Sequence, residues 1–410
     1  MSTRNLALER KRLQELRGLV QRVQAYQPPK KKKLNNRNFL KRLPECEDDL
    51  EDALFECYMM ARRGKRKTVD EHKFEVFLEE NLRQLKDDII HRRWKPSRSK
   101  AFVTHTPVDR EIFAAQFNDR IVHHLLYAIV APWWDKRFIY DSYSCRVGKG
   151  TDFGIERMQG FMRKASFNCK RKAYVLKGDI SGYFMSLNRQ ILYDKVMWGL
   201  KKQFKDRGFL YKLCEYLWRE VIFDDPCFGA RIVGRNKDWE CLPYNKSLFH
   251  QPPGQGIVIG NLTSQLLSNI MLNEFDWYVK KKLGFFYYGR YVDDFFIVVP
   301  EEDFERAKRA FDIEIPIKLK KEGLIMHPKK IYIQEVRKGC PFLGKMVRPF
   351  VLMPGRRYLK NMRVAFVGYA NGDISYETAQ SYVGMSHHMA AYKALDKVLL
   401  AIEAWDIDKS

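Results

Sequence analysis

Paired cysteines and long apolar runs are missing from this 410-residue sequence. Its eight cysteines are scattered singly, without a CxxC pair, which argues against both a disulfide scaffold and a zinc ribbon. No apolar run approaches the roughly 20 residues that a membrane helix needs. The N-terminus, MSTRNLALERKRLQEL, is charged throughout and lacks the apolar core of a signal peptide. These absences favour the reducing cytoplasm as the compartment.

Positive charge is what the sequence has in excess. It carries 74 Lys and Arg against 50 Asp and Glu, a net charge of +24, with a pI of about 9.6. Residues 1–42 alone hold 13 Lys or Arg and two Glu, which is +11. Such a surface attracts polyanions through counterion release, so nucleic acid is the leading partner, with a solubilising surface as the alternative.

Strand-like and helical segments are interleaved along the chain. Asp48–Arg93 is mostly helical, and a basic amphipathic helix is expected over 5–26. Further helices are predicted over 110–132, ended by Pro132, at 188–200, 261–283 and 376–405, and in the first half of 304–323. Strands are predicted near 100–105, 172–180, 285–299, 330–336 and 341–347. This interleaving predicts an α+β fold with helices packed behind a sheet.

Two adjacent acids stand in an apolar stretch, GRYVDDFFIVV, residues 289–299. Alternation along a strand would point Asp293 and Asp294 to opposite faces, but a tight hairpin turn brings both to the tip. Asp179, at the end of another strand, is the best third acid. Such a set suits two divalent cations about 4 Å apart, as polymerases and nucleases use, whereas an ordinary polar turn is the alternative.

The motifs of this chain resemble, in order over residues 50–395, those of reverse transcriptases. YVDD between two apolar strands resembles the catalytic motif, and KGDISGYF (177–184) resembles the palm strand with the first catalytic Asp. The other matching stretches are PVDREIFAAQFNDRIVHHLL (107–126), DSYSCRVGKGT (141–151), HPKK (327–330) and CPFLGKMV (340–347). The resemblance implies a right-hand polymerase fold with fingers, a palm built on an antiparallel sheet, and a helical thumb.

One signature narrows the resemblance to the reverse transcriptases of diversity-generating retroelements. The chain has GIVIGNLTSQ (256–265), with LPYNKSLF (242–249) and SYVGMSHHMAAYKAL (381–395). Ile259 stands where most reverse transcriptases have Gln, and Gln265 where they have Pro. The resemblance implies error-prone, adenine-mutagenic cDNA synthesis from a template-repeat RNA. It also implies dNTPs, nascent cDNA and a small basic accessory variability protein as partners, and a bacterial, archaeal or phage origin.

The resemblance also implies roles for individual residues. Asp179 and Asp293 would ligate two Mg²⁺ ions (Mn²⁺ is the alternative), with the carbonyl of Ile180 available and Asp294 as the third acid. The residues implied in nucleotide binding are Arg110, Arg120, Arg146, Phe184, Ile259, Gly260, Gln265, Lys329 and Lys330. Among them, Phe184 would exclude a ribose 2′-hydroxyl and Gly260 would let the backbone approach the nucleotide. Any of the three arginines could instead form a structural ion pair, and either lysine could protonate pyrophosphate.

By the same resemblance, the chain divides into four parts. Residues 1–45 would form a basic helix and linker, 46–170 the fingers, 171–348 the palm with the YVDD hairpin, and 349–410 the thumb. Another bacterial reverse transcriptase, of the retron or abortive-infection type, is one alternative. A catalytically silent RNA-binding protein on the same fold is a second, against which the three acids argue.

Overall fold

A computed structural model describes residues 11, 12, 14–16, 40–64, 68–105, 108–205, 208–235, 237–386, 389 and 400. The fold mixes helices with sheets in which all described strand pairs but one short parallel pair are antiparallel, which confirms the predicted α+β class. The expected basic helix over 5–26, the linker after it and the end of the expected helix over 376–405 lie largely outside the described residues.

Twelve α-helices of six or more residues occur in the described part of the chain. They are α1 Asp49–Ala61, α2 Val69–Val76, α3 Leu78–Ile90, α4 Phe117–Asp135, α5 Thr151–Ala165, α6 Arg189–Phe204, α7 Gly208–Phe223, α8 Leu262–Trp277, α9 Phe304–Arg309, α10 Ile315–Lys321, α11 Arg356–Asn371 and α12 Tyr376–Ser386.

Ten strands form three sheets in the described residues. They are β1 Lys100–Thr104, β2 Arg110–Ala114, β3 Ala173–Gly178, β4 Arg231–Ile232, β5 Tyr288–Tyr291, β6 Asp294–Pro300, β7 Tyr332–Glu335, β8 Cys340–Phe342, β9 Lys345–Val347 and β10 Leu352–Pro354. The central sheet has the order β5-β6-β3-β7 with every pairing antiparallel, and the two smaller sheets have the orders β2-β1-β4 and β10-β9-β8.

The central sheet is buried on both faces, which explains why β6 is an unbroken apolar run. Phe295 and Ile297 face the largest core cluster, which also contains side chains of α4 and α8. Phe296 and Val298 point the other way, into a second cluster with α5 and β8. Successive strand residues face opposite sides, so both sets must be apolar when helices cover one face and a helix with a small sheet covers the other.

The predicted helix over 110–132 is wrong at both ends. Residues 110–114 form β2, which pairs antiparallel with β1 in the register Lys100 opposite Ala114. Pro132 does not end the helix but lies inside α4, which continues to Asp135. An interior proline removes one backbone donor and crowds the preceding turn, but the helix continues past it to the buried Trp134.

Four helical segments went beyond the sequence prediction. Helices α5, α7 and α11 were not predicted. The helicity expected only in the first half of 304–323 continues through a π-helical stretch, Ala310–Glu314, into α10. Pro316 lies where the π-helical stretch passes into α10.

Candidate active site

The Asp293–Asp294 pair lies at the tip of the β5–β6 hairpin, as predicted. Tyr291 pairs with Asp294, so only Val292 and Asp293 form the turn. Val292 has φ of +56°, a left-handed conformation that β-branched residues rarely adopt. Among two-residue turns, a positive φ at the first position alone is the pattern of type II′. The turn lets two adjacent acids reach the same end of the sheet.

Asp179 follows β3, the strand next to β6. Gly178 is the last paired residue, opposite Phe295, and an added Cβ there would lie 2.6 Å from the Phe295 ring. Glycine at 178 therefore permits the close approach of the two strands. Continuing the register places Asp179 opposite Asp294 and Ile180 opposite Asp293, so the sheet brings the three acids together.

The backbone next to Asp179 leaves the Ile180 carbonyl directed towards the hairpin. The Asp179 carbonyl accepts from the His327 amide at 2.8 Å, and the Ser181 amide donates to the Ile325 carbonyl at 2.8 Å. Backbone groups alternate in direction along an extended chain. The Ile180 carbonyl therefore points away from the 325–327 segment and is available as a further oxygen ligand.

Two lysines lie against the acids. Lys330 forms an ion pair with Asp179, and Lys177 donates to Asp294 at 2.9 Å. Lys329 is exposed, and its side chain contacts none of the three acids. Of the two lysines proposed for the leaving group, Lys330 is therefore the one that reaches the site.

Two of the three acids, Asp293 and Asp294, have raised pKa values. Burial, together with the charges of Asp179 and Asp294, raises the pKa of Asp293 to about 7. Burial also raises the pKa of Asp294, although Lys177 opposes the effect. Burial alone would lower the pKa of Lys330, but its hydrogen bond to Asp179 and the three negative charges raise it overall. The site therefore attracts positive charge.

The donor set fits a divalent metal. Three carboxylates and a backbone carbonyl are all oxygen ligands, which Mg²⁺ prefers, and two ammonium groups already lie beside them. Two other groups of described residues, His105–Asp109–Cys241 and Glu71–His72–Glu75, each bring three potential ligand atoms within 4.8 Å of one another. The hairpin acids hold their oxygens further apart, against Lys177 and Lys330.

Phe184 and the 254–260 loop are held together by backbone hydrogen bonds. The Ile257 amide donates to the Phe184 carbonyl at 2.9 Å, and the Gly256 amide donates to the Leu187 carbonyl at 2.8 Å. Phe184 is partly buried, with its ring edge-on to Tyr183. The residue predicted to exclude ribose and the loop predicted to contact the nucleotide are therefore bonded directly to each other.

Ile259 and Gly260 lie against the β1–β2 hairpin. Ile259 is partly buried and packs on an apolar cluster that includes Ala101, Phe113 and Met185. Gly260 has φ of +125°, and an added Cβ would lie 3.5 Å from Ile112. The strained φ, more than the space, is what favours glycine there. Gln265 is partly exposed in the first turn of α8.

The three candidate arginines differ in their partners. Arg110 is exposed at the start of β2, and its side chain makes no hydrogen bond or ion pair to another described residue. Burial raises the pKa of Tyr291 in the YVDD motif, and the positive charge of Arg110 partly opposes that rise. Arg120 donates to the Ala115 carbonyl at 3.0 Å. Arg146 is bound to Asp135 at 2.6 Å and to the Ile139 carbonyl at 2.7 Å. Of the three, Arg110 is the one whose side chain can meet a phosphate without giving up a partner.

The ion pair between Arg290 and Asp276, next to the site, was not predicted from the sequence. Arg290, directly before Tyr291, is fully buried and bonded to Asp276 on α8. A charged residue in the apolar stretch FFYYGRYV was a signal that could have identified it, because a buried guanidinium requires a partner.

Comparisons with known proteins give distant similarities. No family model matches the chain. Protein YkfC of Escherichia coli (strain K12) is 25% identical over 203 residues, which are 49% of this chain and 46% of that protein. The chain thus spans about half the length of the curated relative that it matches.

Among solved structures, two fungal telomerases are similar to parts of this chain. Telomerase from Candida albicans in complex with a TWJ fragment of telomeric RNA has 12% identity, covers 78% of this chain and 57% of that one, and has a TM-score of 0.46. Apo telomerase from Candida tropicalis has 13% identity, with 77% and 59% covered and a TM-score of 0.42. Because these similarities are distant, an assignment of activity depends on the residues of the site.

No helix in the described residues is long and apolar enough to cross a membrane.

Proposed function

We propose that this protein is an RNA-directed DNA polymerase, a nucleotidyltransferase that extends a primer 3′-hydroxyl with dNTPs. The observation that carries the proposal is the placement of Asp179, Asp293 and Asp294 at one end of an antiparallel sheet, with Lys330 beside them. A silent binding module has no need of three acids that are buried or partly buried and repel one another, because unpaired buried charge is costly.

The chain's own groups supply positioning and charge. Asp179, Asp293 and the Ile180 carbonyl would hold two Mg²⁺ ions, with Mn²⁺ as the alternative, and Asp294 would complete or orient the set. The chemistry gained from bound ions at such a site is activation of the primer hydroxyl and stabilisation of the leaving pyrophosphate. Lys330 stays protonated beside Asp179 and can donate a proton to pyrophosphate. Arg110 would bind the triphosphate, since its guanidinium is not engaged elsewhere in the described structure.

The parts of the chain receive polymerase roles in the same proposal. The central sheet within 171–348 would be the palm, residues 46–170 the fingers, and 349–410 the thumb. Residues 1–45 would be a basic helix and linker. The loop carrying Ile259 and Gly260 lies between the β1–β2 hairpin and the Phe184 segment, where an incoming nucleotide would meet both.

The subtype is a finer part of the proposal. Ile259 packs on apolar side chains and has no donor or acceptor, so it cannot hydrogen-bond a nucleotide as Gln would. This supports a low-fidelity enzyme of the diversity-generating retroelement type, copying a template-repeat RNA with errors at adenines. The adenine bias and the small basic accessory protein come from the resemblance of the motifs alone.

Primer extension on an RNA template tests the activity. We expect Mg²⁺-dependent cDNA from the wild type and none from Asp179→Asn or Asp293→Asn, because each loses an anionic ligand. Asp312→Asn, an exposed acid away from the sheet end, is the matched control and should extend normally. Extension by a folded Asp293→Asn protein at the wild-type rate would refute the proposal, as would nucleic-acid binding by the wild type without any product.

A further inference from the structure

The catalytic hairpin has a strained turn beside an arginine that is fully buried. Val292, a β-branched residue, has φ of +56°, a sparsely populated conformation that is costly for such a side chain. Such a turn persists only where its surroundings over-determine it. The side chain of Arg290 is 0% exposed and directly precedes the YVDD motif. Its contacts show what holds the turn.

The guanidinium of Arg290 divides its donors between an acid and the turn. Nε and Nη2 donate to the two carboxylate oxygens of Asp276, each at 2.7 Å. Nη1 donates to the Val292 carbonyl at 2.8 Å. Asp276 also accepts from the Tyr288 hydroxyl at 2.6 Å. Two hydrogen bonds to one carboxylate fix the plane of the guanidinium group. Its third nitrogen, Nη1, therefore points in one direction, towards the carbonyl of Val292 immediately before Asp293.

The same arginine joins three parts of the molecule. Its backbone amide donates to the Asp141 carbonyl, and its carbonyl accepts from the Tyr143 amide, both at 2.9 Å. Its side chain reaches Asn269 and Asp276 on α8. The segment after α4, the helix that follows the nucleotide loop, and the catalytic turn therefore meet at one residue.

Stability alone does not explain this arrangement. A buried ion pair is often no more stabilising than well-packed apolar residues of similar volume, because both charges must be desolvated. The ion pair provides a hydrogen bond to the Val292 carbonyl, which apolar side chains could not form. That bond fixes the orientation of the Val292–Asp293 peptide, and with it the direction of the Asp293 side chain.

We propose that Arg290, oriented by Asp276, is a positioning residue that holds the Val292–Asp293 turn in its strained conformation. In this position Arg290 sets the affinity of the acid cluster for divalent metal. The inference rests on the proposed polymerase function, because it concerns how that site is kept in place. It predicts that removing the hydrogen bond to the turn weakens metal binding and turnover while leaving the dNTP-binding surface unchanged.

The main test removes Arg290 together with Asp276 and the Tyr288 hydroxyl, so that no buried charge is left without its partner. The triple variant Arg290→Met, Asp276→Leu, Tyr288→Phe deletes the charge pair and the hydroxyl that depends on it, so it should fold with a Tm equal to or above the wild type. Mn²⁺ binding, followed by the decrease of the free-ion EPR signal without nucleotide present, should weaken about 10-fold or more. The kcat should fall by a similar factor while the KM for dNTP stays within about twofold.

A second pair of variants keeps the test decisive if the triple variant does not fold. Arg290→Lys keeps the charge but loses the fork, and it should weaken Mn²⁺ binding. Val292→Gly in that background should restore part of the affinity, because glycine adopts positive φ without strain. The control is Lys195→Met on α6, a residue that does not contact the turn. Its partner Glu322 would keep a second partner, Lys318, at 2.7 Å. The control should lower Tm at most and leave Mn²⁺ binding unchanged.

The outcomes separate the two proposals. A wild type that neither binds Mn²⁺ nor extends a primer refutes the polymerase function itself. If the wild type does both, then wild-type Mn²⁺ affinity in the folded triple variant, or in Arg290→Lys, overturns the role of Arg290 alone. Weaker Mn²⁺ binding in Arg290→Lys with no recovery on adding Val292→Gly also overturns it, because the effect would then not pass through the strained turn.

Discussion

Asp293 has the least favourable surroundings of the three acids at the hairpin. Asp179 and Asp294 each have a lysine partner, whereas Asp293 is partly buried between their two negative charges, which raises its pKa to about 7. A group whose folded-state pKa is raised binds more protons when folded, so stability falls as pH rises from about 4 to 7. Above pH 7 Asp293 is ionised in the folded protein, and its burial beside two negative charges then lowers the stability by the full amount.

We therefore predict that Asp293→Asn stabilises the metal-free protein at pH 8. In EDTA the variant should unfold about 2 °C or more above the wild type, because the repulsion is gone. Added Mg²⁺ should raise the Tm of the wild type and have little effect on the variant. Thermal unfolding with and without Mg²⁺ measures both. A variant less stable than the wild type in EDTA would mean that Asp293 has a favourable partner in the folded state.

In the proposed polymerase, Phe184 would meet the sugar of an incoming nucleotide beside the 254–260 loop. Its carbonyl is bonded to the loop, and its ring is only partly buried, so bulk is available at the surface. We predict that Phe184→Ala raises incorporation of rNTP relative to dNTP by roughly 10- to 200-fold, the range that pocket contacts give. Competition between the two nucleotides in primer extension measures the ratio. Phe209→Ala, another partly buried phenylalanine packed on the same core, is the control, and an unchanged ratio in Phe184→Ala would make Phe184 a packing residue.

At the scale of elements, the 254–260 loop depends on its neighbours for its shape. Besides the two bonds to the Phe184 segment, the Arg189 side chain donates to the Gly256 carbonyl at 2.8 Å and to the Asp224 carbonyl at 2.6 Å. The loop is thus fixed from one side, and Ile259 packs on the other against the β1–β2 hairpin. A change at Ile259 should therefore alter the nucleotide pocket and leave the position of the loop unchanged.

We predict that Ile259→Gln lowers misincorporation, chiefly opposite template adenine. Gln can hydrogen-bond the nascent pair, and contacts of this size change selectivity by roughly 10- to 200-fold. Sequencing cDNA made by both proteins on one RNA gives the error rates. Ile259→Val, which keeps a β-branched apolar side chain, is the matched control and should retain the wild-type error spectrum. Equal adenine error rates in Ile259→Gln and the wild type would show that Ile259 does not set fidelity.

Short-range patterns predicted the elements that carry the three acids, and long-range pairing explains where the predictions were wrong. The hairpin around Asp293 follows from two apolar runs with a turn between them, and β3 follows from its β-branched and aromatic residues. Residues 110–114 looked helical in continuity with α4, but pairing with β1 made them a strand. Arg290 showed no local sign of its partner, because Asp276 lies on another element and only the fold brings them together.

At the scale of the whole molecule, the distribution of charge is the remaining feature. Residues 1–42 carry +11 of the net +24, and most of them lie outside the described residues. The acids of the site attract cations, while the rest of the chain is strongly basic. An enzyme acting on nucleic acid needs both, because the phosphate backbone must be held close to acids that would repel it.

The last prediction tests whether the N-terminal charge binds RNA. Binding of RNA should weaken steeply with salt, and the log–log slope should fall by about 0.7 for every phosphate of a single strand that the protein no longer neutralises. Deletion of residues 1–42 should therefore flatten the slope by several such steps, and replacing the lysines at 30–33 with Gln should give an intermediate value. Fluorescence anisotropy over a salt series measures all three slopes, with circular dichroism to confirm the fold. If the deletion keeps the wild-type slope, the segment neutralises no phosphate, and the basic surface that binds RNA lies within residues 43–410.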